Sequence, residues 1–363
     1  MGRRKTRSKR RRRSSRRTRK WALADWILPF ILAVILGLYM LEKARERFSP
    51  PAEYVSGHPV EVYFTKVDDP FRTIMHLIRS ARHSIHVAVF EIDNMELALA
   101  LVDARERGVD VRVVTDERNA RERALRYLMK KGIPVVLDYR QNFMHDKFAV
   151  IDGKYVITGS TNWTDNGFFF NDNNVVIINS RNIAASYEKE FDEMFERHLF
   201  GPDSPSNTPC CYLLDSMRVE VYFAPEDGVS GHIVRLIDDA EKTVHFMAFS
   251  FTSRKIATAM IRAAKRGVKV SGIVEKRDLA NPHTQYRRLR RARVDVVPDR
   301  NPRIMHNKVI VIDSSVVITG SYNFSNNADR YNDENVVILF DRSLALRYLD
   351  YYRWLRGYSN RRQ

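Results

Sequence analysis

Two short stretches of this chain carry the same reactive side chains in the same order. His145, Lys147 and Asp152 stand in HDKFAVID, and His306, Lys308 and Asp313 stand in HNKVIVID. Each is followed at equal spacing by a second cluster, Gly159-Ser160-Thr161-Asn162 and Gly320-Ser321-Tyr322-Asn323. The separations 145 to 306, 152 to 313 and 162 to 323 are all 161 residues. Such a doubled kit suits the cleavage of a phosphate diester. A neutral imidazole can attack the shielded phosphorus and hold it as a phospho-enzyme. A second imidazole can protonate the departing alkoxide and then deprotonate water.

Each lysine follows its histidine by two residues, so on an extended strand both side chains face one ligand. The two ammonium groups, with Ser160, Ser321, Asn162 and Asn323, can donate hydrogen bonds to phosphoryl oxygens as charge builds there. This chemistry needs no cofactor or divalent metal, and the sequence has no Cys/His cluster at metal-binding spacing. Asp152 and Asp313, before Gly153 and Ser314, read as structural anchors of the motif loop or of a lysine.

The elements that must position these groups also repeat. Val60–Phe64 (VEVYF) recurs at Val219–Phe223, and Arg107-Gly108-Val109 recurs as Arg266-Gly267-Val268. In each half a β-rich start precedes a helix (Pro70–Arg82; Ser230–Lys242) and a strand (Ser84–Ile92; Thr243–Phe251). A second helix ends at the Arg-Gly-Val and another strand follows. Then come the motif strands, Lys147–Ile151 and Lys308–Ile312, a strand ending at each Gly-Ser, and a closing helix (Asn182–His198; Leu344–Arg356). This order predicts an α/β fold, two duplicated α/β sandwich halves with mixed central sheets, packed about a pseudo-twofold axis. The halves are read as residues 58–200 and 216–358, joined by a Pro- and Ser-rich linker over 201–215.

The ends of the chain are different. Of the net charge of +17, residues 1–20 supply 13 Lys or Arg and no acid, so the remainder carries only +4. A mildly basic body does not by itself identify a nucleic-acid binder. Residues 21–41 (WALADWILPFILAVILGLYML) are long enough to cross a bilayer, which takes roughly 20 apolar residues. The basic block then stays cytoplasmic, residues 42–57 form a stalk, and both halves lie on the extracytoplasmic side. A cleaved signal peptide fits less well, because no A-x-A-like site follows. The basic block reads as a topology signal that also attracts anionic headgroups. Cys210 and Cys211, adjacent in the linker, cannot build a disulfide framework and receive no role.

With both H-x-K-x4-D motifs and both Gly-Ser-x-Asn clusters in view, the chain resembles the phospholipase D superfamily over about residues 58–358. The resemblance implies a phosphohistidine intermediate, one active site between the halves, no metal, and a monomer sufficient for one site. Members include phospholipases D, cardiolipin and phosphatidylserine synthases, metal-independent nucleases and tyrosyl-DNA phosphodiesterase. Nucleases of this kind usually carry an acid hydrogen-bonded to a catalytic histidine, where the second half has Glu334 and the first Asn173. Glu334 is expected beside His306, raising its pKa for proton transfer, and Asn173 beside His145, leaving His145 as nucleophile.

The sequence leans to nucleic acid as substrate. Trp163, Phe168, Phe169, Phe170 and Phe324 could stack on bases, and Arg287, Arg288, Arg290, Arg291, Arg293, Arg300 and Arg303 could track a backbone. A phospholipase D or phosphatidyltransferase acting on phospholipids is the alternative, favoured by the membrane anchor. A third reading is an inactive phosphate- or membrane-binding protein.

Overall fold

The computed structural model describes residues 31–37 and 57–360. The basic block, nearly all of the expected stalk and most of the expected span fall outside the described residues. Residues 31–37 are helical, and no helix among the described residues is long and apolar enough to cross a membrane. The described residues therefore do not show the membrane-spanning helix expected over residues 21–41.

The described residues 57–360 form one compact unit. Its first half runs β1 (Val60–Phe64), α1 (Pro70–Ser80), β2 (Ser84–Val89), α2 (Met95–Glu106), β3 (Asp110–Asp116), α3 (Arg123–Lys130), β4 (Val135–Asp138), β5 (Lys147–Ile151), β6 (Tyr155–Gly159), β7 (Asn174–Asn179) and α4 (Arg181–Glu196). The second half repeats this order with one strand added at its start and one short helix added before its last strand. It runs β8 (Cys211–Leu214), β9 (Met217–Ala224), α5 (Val229–Asp238), β10 (Thr243–Ala248), α6 (Arg254–Lys265), β11 (Lys269–Val274), α7 (Tyr286–Arg291), β12 (Asp295–Pro298), β13 (Lys308–Ile312), β14 (Val316–Gly320), α8 (Asn326–Arg330), β15 (Glu334–Phe340) and α9 (Arg342–Asn360).

The sheets have the order β1-β7-β6-β5-β2-β3-β4 and β12-β11-β10-β13-β14-β15-β9-β8. In each, the strands linked by helices pair in parallel, while the motif strand and its successors pair antiparallel, so both sheets are mixed. Strand β8 falls inside the segment expected to be linker. It hydrogen-bonds to β9 and extends the second sheet at its edge. Cys210 and Cys211, at its start, are joined to each other.

The sequence builds these elements by ordinary means. Asp69, Asn94, Ser180 and Ser253 cap their helices, and Pro70 starts α1 at a position where a missing N–H costs nothing. The motif strands β5 and β13 are buried on both faces, as their unbroken apolar runs require. One core lies between the sheets and draws on both halves, with Phe148, Val150 and Tyr187 facing Val309, Val311 and Tyr348. Two outer cores lie under α1–α3 and under α5–α7.

Contacts across the middle are reciprocal. Thr158 Oγ1 donates to Asn335 Oδ1 at 2.5 Å, and Thr319 Oγ1 donates to Asn174 Oδ1 at 2.8 Å. Asn335 Nδ2 donates to Asp146 at 2.6 Å, and Asn174 Nδ2 donates to Asn307 at 2.9 Å. The two glycines that end β6 and β14 serve the same interface. Gly159 (φ +125) and Gly320 (φ +147) hold backbone shapes unsuited to side chains, and a Cβ on either would run into the carbonyl oxygen of Asn174 or Asn335. Gly320→Ala is therefore expected to destabilise the protein by about 3 kcal/mol, at the upper end for overpacking. An unchanged denaturant midpoint would show that this turn has room to spare.

Candidate active site

Strand β5 begins at Lys147 and β13 at Lys308, so each histidine sits just outside its strand, at the edge facing the other half. The main chain there crosses between halves. His145 N–H donates to the Asp333 carbonyl at 3.0 Å, and His306 N–H donates to the Asp172 carbonyl at 2.8 Å. Two parallel bridges, Met144 with Asp333 and Asp172 with Met305, fix this register.

The ring partners are also exchanged. Glu334 Oε2 lies 2.8 Å from Nδ1 of His145, whereas Asn173 Oδ1 and the Ser160 carbonyl both lie 3.0 Å from Nδ1 of His306. The expected pairing of Glu334 with His306 is thus overturned. Each partner follows a Gly-Ser-x-Asn cluster in its own half, but the sheets meet so that it reaches the opposite histidine. In both pairs the acceptor at Nδ1 leaves Nε2 as the nitrogen available for chemistry.

The lysines lie close beneath. Lys147 Nζ donates to the His145 carbonyl and Lys308 Nζ to the His306 carbonyl, both at 2.6 Å. Phe90 and Phe249, which stand at the same register in the two halves, carry the ammonium groups 5.3 Å and 5.0 Å from their ring centres. This pair was missed in the sequence, although its repeat at matched positions was readable.

Burial is the largest influence on both lysines and both histidines, since it penalises the charged form. It pushes Lys147 down to about 8, against Glu334, Asp146 and Glu91, which hold it up. Lys308 is pushed well below the usual lysine range, first by burial and then by Lys147. His145 and His306 both fall well below the ordinary histidine value, again through burial and then the two lysines. Burial raises Glu334 to about 7 despite Lys147. The cluster is short of negative charge, which a diester anion would supply.

The remaining expected residues divide. Ser160 and Ser321 are fully buried. The Ser160 hydroxyl donates to Asn173 Oδ1 at 2.8 Å and accepts from the Asn174 N–H, while Ser321 bonds to Glu334 and accepts from the Asn335 N–H. A hydroxyl has one proton to give, so these serines position the histidine partners rather than bind phosphoryl oxygens. Asn162 and Asn323 are part-exposed, and each keeps its Oδ1 without a protein partner.

Asp152 and Asp313 lie at the far ends of β5 and β13, away from the histidines. Asp152 accepts from the backbone N–H of Arg82, His83 and Ser84, and Asp313 from those of Glu241, Lys242 and Thr243. They anchor turns and not a lysine, and they do not join the reactive cluster. Trp163 and Phe324, expected to touch substrate, are only 2% and 1% exposed. Their backbones bridge to Ile92 and Phe251, which clamps each Gly-Ser-x-Asn loop to a neighbouring strand end.

A cavity of about 290 Å³ opens at His306, lined among others by Glu91, Asn162, Asn173, Phe249, Arg277 and Arg303. Glu91 was not singled out in the sequence. Its Oε2 accepts from Asn162 Nδ2 at 3.1 Å, and burial, then Asp93 and Glu122, raise its pKa.

Two imidazoles with free Nε2 atoms and two buried ammonium groups, converging from duplicated α/β halves, define a phosphodiester-processing site. The chain matches the family described as "Cardiolipin synthase, PLD-like domain" over residues 74–195 and 233–356, and it belongs to the phospholipase D superfamily. It is a phosphodiesterase hydrolase of that superfamily. A Rickettsia felis protein described as phospholipase D is 42% identical over 138 residues, 38% of this chain and 68% of that protein. A Xenopus laevis protein described as mitochondrial cardiolipin hydrolase is 35% identical over 133 residues, 36% of this chain and 63% of that protein. The chain thus spans about two thirds of these relatives' lengths. The Haemophilus influenzae phosphatidylserine synthase shares the fold, with a TM-score of 0.65 over 84% of this chain and 87% of its own, at 16% identity.

The lowered lysine values set a pH limit. Above about pH 8 Lys147 loses its proton, so kcat/KM for a small diester should fall, approaching tenfold per further pH unit. A profile flat to pH 10 would contradict the charge assignment.

Proposed function

We propose that this protein cleaves phospholipid phosphodiester bonds in two steps through a phosphohistidine, with His145 as nucleophile and His306 as general acid and base. In the first step His145 Nε2 bonds to phosphorus as the bond to the leaving alcohol oxygen breaks, and His306 donates a proton to that oxygen. Lys147 and Lys308, with the side-chain amides of Asn162 and Asn323, stabilise the charge gathering on the phosphoryl oxygens. In the second step His306 takes a proton from water, whose oxygen displaces His145. Neither step calls on a metal.

The reason for choosing His145 differs from the one that the sequence suggested. Attack by Nε2 places positive charge on the ring, and Glu334 at Nδ1 offsets it. His306 faces only neutral acceptors and keeps a low pKa, which makes its protonated form a strong acid.

The observation that carries the phospholipid reading is the burial of Trp163, Phe168 and Phe324. Three of the five aromatic rings offered for base stacking belong to the core. Phe169 and Phe170 stay 47% and 42% exposed on the segment that borders the cavity, where they suit contact with acyl chains. The descriptions of the Rickettsia and Xenopus relatives support the same substrate class. In this reading the basic residues 1–20 and apolar residues 21–41 hold the halves at a bilayer, on its extracytoplasmic side.

Rapid quench with a radiolabelled diester should trap label on His145. His306→Ala should prolong the adduct when the leaving group is p-nitrophenolate, while His145→Ala should lower turnover at least about 10⁴-fold. An adduct mapped to His306 would reverse the roles. Release of headgroup from phosphatidylcholine or cardiolipin vesicles in EDTA, with plasmid DNA left intact, is the expected outcome for substrate. The opposite result would return the assignment to nucleic acid.

A further inference from the structure

The duplicated halves differ at a position that faces the reacting groups. Phe90-Glu91 in the first half corresponds to Phe249-Ser250 in the second. The phenylalanines do the same work in each half, carrying the lysine ammonium, so the change from serine to glutamate is not forced by packing of the cation. Glu91 lines the cavity at His306, which does not include His145. A carboxylate here stands on the side where the general acid meets the leaving alcohol, and where the entering alcohol or water must arrive. Phosphoryl oxygens are poor neighbours for a carboxylate. Its charge helps Lys147 keep a proton, and the oxygen that Asn162 does not engage is left for another group that donates hydrogen bonds.

We infer that Glu91 is a specificity-determining residue that selects leaving and entering alcohols bearing a second hydrogen-bond donor. This rests on the role of His306 in the proposed function, but not on the phospholipid being the substrate. Asn162 engages only one carboxylate oxygen of Glu91 and holds the group in place. An alcohol such as glycerol, with its reacting oxygen at His306, can direct a second hydroxyl to Glu91. The cavity, at about 290 Å³, has room for an alcohol of this size, and the Lys147 charge, which acts on Glu91, offsets the carboxylate's repulsion of the diester. In transfer, the alcohol oxygen bonds to phosphorus as the phosphorus–Nε2 bond to His145 breaks. The alcohol proton passes to His306.

The test uses bis(p-nitrophenyl) phosphate, whose leaving group lacks a second donor, with glycerol and 1-propanol competing at equal concentration. The glyceryl and propyl esters of p-nitrophenyl phosphate are then quantified. The wild-type protein should favour glycerol over propanol about tenfold or more, because the second hydroxyl of glycerol reaches the part-buried Glu91 carboxylate and propanol has none to offer. Glu91→Ser, which installs the residue of the other half, and Glu91→Gln, which keeps the shape, should each reduce that ratio severalfold. A ratio near one in the wild type, a ratio unchanged in both variants, or water as the sole acceptor would each overturn the inference. Label trapped on His306 instead would overturn the role assignment beneath it. Inactivity on lipid vesicles with the ratio intact would remove only the phospholipid reading.

Discussion

Everything at this site depends on four cationic or potentially cationic groups held together away from water with too little negative charge. His145, His306, Lys147 and Lys308 are all nearly buried, and only Glu334 contacts an imidazole as a carboxylate. Such a cluster is costly to fold, because burying charge costs more than partial pairing returns. The cost is borne by the interface: buried amides on β7 and β15 reach into the opposite half, and the motif backbones bridge to Asp333 and Asp172. What opposes folding favours binding, since a diester anion entering the cluster restores the missing charge. Part of the catalytic power is then stored in the free protein as unsatisfied electrostatics.

The exchange of partners between halves explains why the duplication is more than two sites side by side. Each histidine takes its main-chain and side-chain support from the other half, so neither half can orient its own imidazole. Once the partners are exchanged, the copies are free to diverge. Glu334 against Asn173, Asp146 against Asn307 and Glu91 against Ser250 all separate the two imidazoles into different environments. The pairs that remain identical, Phe90 with Phe249 and Ser160 with Ser321, support what both roles need.

Much of this was legible in the chain. The equal spacing gave the reactive residues, and unbroken apolar runs gave β5 and β13 at their observed limits. The closing helices were located with their ends displaced by a few residues, as helix ends usually are. Strand β8 was not legible, because four residues beside a Pro-rich segment show no period, and its strand character comes from pairing with β9. The partner exchange was hidden for a different reason. Sequence order places Glu334 near His306, and only the docking of the sheets carries it to His145. The aromatic residues misled because composition reports a ring but not its burial. Trp163 and Phe324 follow the reactive asparagines directly, yet alternation turns their side chains into the core.

That last error bears on how substrate choice is written in this fold. The residues that handle phosphorus are set by the duplicated motif and face the interface, where both halves constrain them. On the proposed reading, residues that distinguish one alcohol from another need not match between the halves, as Glu91 against Ser250 illustrates. A close approach to one phosphate needs a lone short-range cluster, whereas a polynucleotide would also need a continuous path for the neighbouring phosphates. The arginines expected to trace that path are partly engaged by the protein itself: Arg287 and Arg288 donate to the carbonyls of Leu279 and Arg254, and Arg303 lies over Phe170. On the proposed reading, the site serves one phosphate and the alcohol beside it.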